Sequence, residues 1–214
     1  MLQDAHPIVQ TWSTDAVLAS QRVEYFENAL ASALIPFAIR SIADPSAFHA
    51  SIEVMDLGPL SLQRHRGEPH AAHSGAAEIR RQRSESFHIL VNRSAGWRLD
   101  HRGAHAFEPD VAAFTDSRYP LVLEALAEYD ITNLQLPVAW VREWIPDPQV
   151  LVGRPITSRT PWGRALTSFM TAMTPRSVSR GALPAHCLAD HLGSLLALAA
   201  GEFNAKTGVP ARPD

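Results

Sequence analysis

Apolar and polar positions alternate over short stretches through most of the first 136 residues, and recur at three- and four-residue spacing at both ends of the chain. Two-residue alternation marks half-buried strands; the longer spacing marks amphipathic helices. Residues 13–33 predict a helix, with Ser13, Thr14 or Asp15 as its cap and Ala19, Val23, Phe26 and Leu30 as one stripe, ended by Pro36. Phe48 to Leu57 predicts a strand with Phe48, Ala50, Ile52 and Val54 on one face and His49, Ser51 and Glu53 on the other. Gly58-Pro59 turns the chain into a second strand, where Leu60, Leu62 and Arg64 alternate with Ser61, Gln63 and His65. An edge strand near 69–73 and a loop or short helical turn around 76–81 follow. Phe87–Val91 is a strong strand, and 97–101, 104–107, 111–115, 121–127 and 131–136 continue the series.

The connections are too short for the helical crossovers that parallel strands need. The pattern therefore predicts an α+β, mainly β fold: a small antiparallel barrel of jelly-roll type, preceded by a helix and followed by C-terminal helices. After Leu136 the texture becomes helical. Pro137 opens a short helix through Trp144, stopped by Pro146 and Pro148. Thr160-Pro161 caps a helix with the stripe Trp162, Leu166, Phe169 and Met173. Pro184 opens the last helix, with Leu188, His191 or Leu192, Leu195 and Ala199 as its stripe; Gly208 and Pro210 end it. The organisation expected is a helix-plus-barrel unit over 1–136, a helical dimerisation and linker region over 137–208, and a tail at 209–214.

The turn-rich stretch Gly96…Leu99…Gly103, then Pro109-Asp110, then Asp116-Ser117-Arg118-Tyr119-Pro120 carries a further signal through its order. Together with Arg22…Tyr25-Phe26…Ala29-Leu30…Pro36, Phe48-His49-Ala50, Leu57-Gly58-Pro59-Leu60, Leu136-Pro137 and Gly153-Arg154-Pro155-Ile156, it resembles the N-terminal, AraC-binding-like sensor domain of AraC/XylS-type transcription regulators. Glu108-Pro109-Asp110 stands where that family tends to have Pro-Gly-Asp. The resemblance implies a cupin-like barrel that binds a small organic effector, aromatic compounds among the candidates. It also implies a homodimer, and contact with DNA only through a helix-turn-helix domain lying outside this chain.

Composition narrows the alternatives. The net charge of -3 gives no electrostatic footprint for nucleic acid or for an anionic membrane. One cysteine, Cys187, excludes an internal disulfide and a thiolate metal cluster. No apolar run reaches membrane-spanning length. A reducing, cytoplasmic setting is expected. No phosphate loop, Gly-x-Ser-x-Gly elbow or Gly-x-Gly-x-x-Gly turn is present. His186 and Cys187 are adjacent on a helix, hence about 100° apart and a poor nucleophile–base pair.

A barrel interior offers a pocket lined by alternate residues of each strand. Phe48, His65, His88, Trp97 and Tyr119 have the side chains to supply aromatic walls and polar anchors. Each also has a structural reading: Phe48 and Trp97 as core, His65 and His88 as solvated, Tyr119 as a corner residue. Leu188, Leu192, Leu195 and Ala199 are either intrachain core or a dimer seam. His70, His73 and Glu78 loosely resemble a cupin metal motif, which leaves a stand-alone metal-dependent cupin enzyme as the alternative function. His70 and His73 would face opposite sides of a strand, so no metal, no cofactor and no catalytic residue is expected.

Overall fold

The computed structural model describes residues 8–181 and 183–207. The predicted tail at 209–214 and the stop signals Gly208 and Pro210 lie outside them. The strands are β1 (Gln10–Ser13), β2 (Ala38–Arg40), β3 (Ala50–Leu57), β4 (Leu60–Gly67), β5 (His70–Ser74), β6 (Ser86–Asn92), β7 (Trp97–Asp100), β8 (Ala104–Phe107), β9 (Ala112–Asp116), β10 (Leu121–Ala125), β11 (Tyr129–Pro137) and β12 (Pro155–Ile156). The α-helices are α1 (Arg22–Ala33), α2 (Ala76–Arg80), α3 (Val138–Trp144), α4 (Pro161–Ala172), α5 (Pro175–Ser179) and α6 (Ala185–Thr207).

Two antiparallel sheets form a cupin-like, jelly-roll sandwich that does not close into a single barrel. One sheet has the order β1-β3-β4-β11-β6-β9-β12, the other β2-β5-β10-β7-β8. The β3–β4 hairpin is a two-residue turn, with Leu57 opposite Leu60. Gly58 takes φ 69° there, the left-handed value that a turn opening on its first central residue requires.

Both faces of the seven-stranded sheet are covered. Its outer face presents Met55, Leu57, Leu62, Phe87, Ile89, Phe114, Leu134 and Leu136 to α3, α4 and α6. Its inner face presents Ala50, Ile52, Leu90, Ala113 and Ile131 to the second sheet and to α1. Two buried clusters therefore share the same strands, one residue out of phase. This explains a departure from the predicted β3 pattern. Glu53, placed by alternation on a polar face, is 1% exposed because that face lies under α5. Its carboxylate takes Arg176 at 2.8 Å and Arg66 at 3.3 Å, which ties the helical layer to the sheet.

The predicted helix at 13–33 starts later, at Arg22. Residues 10–13 instead pair along β3 as β1. Ser13 caps only a single 3₁₀ turn at Thr14–Ala16, because Val17 and Leu18 are extended. Thr160 caps α4 as predicted, accepting from the Gly163 amide. The α4 stripe is shifted: Leu166, Met170 and Met173 are buried, whereas Trp162 is exposed. In α6, Ala189, Leu192, Leu196, Ala199 and Ala200 are buried against the sheet and its neighbouring helices. Gly193 lets α6 sit directly against the Trp144 ring, where an added Cβ would collide. Among the described residues no helix is long and apolar enough to cross a membrane.

Candidate functional site

A cavity of about 60 Å³ lies between the two sheets. Helix α1 and the residues after it form one wall through Phe26, Leu30, Leu34 and Phe37. The amphipathic spacing of α1 puts Phe26 and Leu30 on the same inward face, and Pro36 ends the helix in time for Phe37 to turn in. The second sheet supplies His70 and Ala72 of β5 and Leu121 and Leu123 of β10; the first supplies His65, Leu90, Tyr129, Ile131 and Asn133. No Lys, Arg, Asp or Glu lines the cavity. Phe26, Phe48 and Tyr129 all meet the His70 ring edge-on, at centroid separations of 5.7, 5.6 and 5.3 Å.

A band of buried polar side chains crosses the inner face of the first sheet beside this cavity. Gln63 is its hub: Nε2 donates to Ala33 O at the end of α1 at 2.8 Å, and Oε1 accepts from Asn133 Nδ2 at 2.9 Å. His65 Nε2 reaches the same Oε1 at 3.0 Å. Gln135 and Ser86 extend the band to His88, whose Nε2 lies 2.9 Å from Ser86 Oγ. Burial pushes the His65 imidazole down to about 4 and the His88 imidazole down to about 3. His70 is lowered by the same cause, against the opposing pull of the Glu68 carbonyl. Burial drives the Tyr129 phenol up, so its hydroxyl keeps its proton.

The five sequence-selected residues are scattered. His65 lines the cavity. Phe48 stands behind it, against Phe26 and His70. Trp97 is buried in the same inner cluster but stacks on Phe107, with ring centroids 4.7 Å apart, away from the cavity lining. His88 belongs to the polar band, not to the lining. Tyr119 sits at an exposed corner with Arg102 over its ring. Sequence reasoning missed His70, Tyr129, Asn133 and the α1 side chains. The in-register alternation His65, Gln63 against Ile131, Asn133 was a usable signal, once β4 and β11 were known to pair.

The turn motifs meet at that exposed corner. His101 Nδ1 donates to Pro120 O at 3.0 Å, and its Nε2 accepts the Asp116 amide at 3.0 Å. Asp116 chelates Arg118 at 2.8 and 2.6 Å and takes Gln149 Nε2 at 3.0 Å. Gly153, at φ 77°, lies where a Cβ would strike the His101 carbonyl. These residues fix the architecture and do not line the cavity between the sheets. The loose metal motif also comes apart. His70 faces the cavity, Glu78 accepts the Gly75 amide at the start of α2, and His73 points to the opposite face of β5. Among the described residues no three side chains of His, Cys, Asp or Glu converge as metal ligands. Cys187 is half-buried, and the His191 ring bonds its carbonyl within α6.

The family model of the AraC-binding-like domain matches residues 26–199, and the chain belongs to that family. Among solved structures, the AraC-like transcriptional activator CuxR has the same fold, with a TM-score of 0.76 at 11% identity over 97% of this chain and 72% of that one. The ethanolamine utilization protein EutQ of Salmonella typhimurium gives a TM-score of 0.34 at 5% identity, over 41% of this chain and 69% of that one. The salicylate 1,2-dioxygenase of Pseudaminobacter salicylatoxidans gives 0.31 at 15% identity, over 59% of this chain and 35% of that one. No curated protein matches the sequence.

Proposed function

We propose that this chain is the effector-sensing and dimerisation domain of an AraC-type transcription regulator. It acts in the cytoplasm without catalysing a reaction and reaches DNA through a helix-turn-helix domain of the same regulator. The observation that carries this reading is the uncharged cavity between the sheets, closed on one side by α1. The rings of Phe26, Phe37 and Tyr129 around it favour an aromatic effector. A cavity that admits benzene elsewhere measures about 150 Å³, so a space of about 60 Å³ takes an organic effector only if a wall retreats. Helix α1 is the wall that lies outside the sheet ladders, tied by side chains and one carbonyl: Arg22 on the Ser46 carbonyl at 3.2 Å and the His49 ring at 3.0 Å, the Ala33 carbonyl on Gln63, and Glu27 on the Ile39 amide at 2.7 Å. Effector binding then favours a withdrawn α1 over a docked one, and that difference in affinity is the signal.

The dimer seam we propose is the outer edge of α6. Leu192 and Ala199 are used inside the chain, whereas Leu188 and Leu195 are only partly covered and Leu198 is exposed. The decisive experiment fills the cavity. Ala72→Trp should abolish the effector response of the full regulator in a reporter assay while leaving its dimerisation, read by light scattering, intact. A response that survives Ala72→Trp in a folded protein removes the cavity from the mechanism.

A further inference from the structure

Polar side chains stand around the cavity between the sheets, yet the wall a ligand can touch is essentially all carbon. The hydrogen bonds give the reason. Gln63 is used at both ends: Nε2 donates to Ala33 O at 2.8 Å, and Oε1 accepts from Asn133 Nδ2 at 2.9 Å and from the His65 ring at 3.0 Å. Asn133 Oδ1 is buried beside the His88 ring, turned from the space. His70 Nδ1 donates to Glu68 O at 2.9 Å, and the rings of Phe26, Phe48 and Tyr129 meet the same imidazole edge-on. The Tyr129 hydroxyl lies against Gly67, where an added Cβ would come within 2.9 Å of it. The polar groups thus serve one another and the backbone, and leave the surface to hydrocarbon: Phe26, Leu30, Leu34, Leu121, Leu123 and Ile131.

A hydroxyl or carbonyl carried into this space gives up its hydration and meets no partner. It cannot take one from the network without undoing a bond already made. Freeing Gln63 Oε1 strands Asn133 Nδ2 and the His65 ring, and freeing Nε2 strands Ala33 O. A carboxylate or an ammonium group fares worse, because no opposite charge lines the space. Water is disfavoured on the same terms, since a buried water needs two to four polar partners. An apolar guest loses nothing by entering and gains burial and dispersion contact with every side of the wall. The aromatic edges of Phe26, Phe37 and Tyr129 suit a ring, and a space of about 60 Å³ suits a compact one better than a long alkyl chain.

We propose that the effector is a compact aromatic hydrocarbon, held by apolar contact alone, with no hydrogen bond or ion pair to the wall. This rests on the cavity being the effector site, and the test separates the two. The intact chain and its Leu30→Ala variant, which enlarges the cavity at the α1 wall, are titrated calorimetrically with toluene, phenol and benzoate. The three probes share a ring and present a methyl, a hydroxyl or a charge. The expected result is toluene binding at least about tenfold tighter than phenol, the size of one buried unpaired polar group. Toluene should bind tighter still in Leu30→Ala, and benzoate should not bind. Ile131→Thr hangs a hydroxyl on the wall at nearly unchanged volume. With circular dichroism confirming its fold, that variant should narrow the gap between toluene and phenol. Phenol binding as tightly as toluene, benzoate binding more tightly than either, or a gap unmoved in Ile131→Thr overturns the hydrocarbon class and leaves the cavity as a ligand site. Failure of all three probes in both the intact chain and Leu30→Ala overturns the cavity itself, and this inference with it.

Discussion

On its outer face the seven-stranded sheet gives Leu62, Phe87, Ile89 and Leu134 to the C-terminal helices; on its inner face the same strands give Gln63, His65, His88 and Asn133 to the interior. Neighbours in sequence thus serve opposite ends. The outer face is apolar and densely covered, and its polar ties, such as Glu53 with Arg176 and Arg93 with the Thr171 carbonyl, lie at its margin. The inner face keeps polar groups in its middle, each with desolvation to offset and not all of them fully paired. A sheet selected only for stability would be apolar on both sides.

The comparison can be broken at adjacent residues. Leu134→Ala empties a fully buried position under the helices and should lower unfolding stability by about 3 kcal/mol, in the usual range for a buried leucine. Urea denaturation would show it as a lower midpoint. An effect below about 1 kcal/mol would mean that the helical layer collapses onto the gap, and that the outer face is not the rigid one.

Acid should act on the inner face. His65 and His88 take up protons near pH 6.5 in the unfolded chain, but in the fold only near 4 and 3. Their contribution is complete above the unfolded value and is lost as pH falls, because the unfolded state then binds more protons. Between pH 6.5 and 5.5 the two together should cost roughly 2 kcal/mol, and His65→Gln with His88→Gln should flatten that slope. A slope unchanged in the double variant would place the acid sensitivity elsewhere.

Two smaller effects sharpen the contrast. Gly193→Ala pushes a methyl into the Trp144 ring and should destabilise by about 1–2 kcal/mol despite alanine's better helix propensity. Thermal melting with unchanged ligand binding would confine that loss to the helical layer. Asn133→Leu, next to Leu134 but inward, should cost about 1 kcal/mol, since it removes a donor from Gln63 Oε1, which keeps only the His65 ring. A large loss there would make the polar band structural.

The strands were legible because alternation and turn residues are local. Gly58-Pro59 at the first hairpin and Thr160-Pro161 before α4 sit where their backbone chemistry requires. The likeness carried by Asp116-Ser117-Arg118-Tyr119-Pro120 and Gly153 was also legible, but its use was not. Those residues build a corner around His101 and Asp116, so they report the fold and not the ligand site. Tyr119, a candidate by residue type, sits at the exposed corner and does not line the cavity. His88 and Trp97 were chosen as residue types; one is held by Ser86 and the other stacks on Phe107.

The sequence by itself determined the class of fold, the antiparallel order of short strands, the helical C-terminal layer and the family. Each depends on spacing within a few residues or on the order of turn motifs. Only the tertiary structure decided which side of each strand faces the cavity. With both faces buried, one against helices and one against a second sheet, the polarity of a position no longer says which way it points. Glu53 is buried outward and Asn133 buried inward, and no local pattern separates them. The cavity itself joins α1, β4, β5, β6, β10 and β11, segments brought together by strand pairing across the chain, so its chemistry exists only after folding.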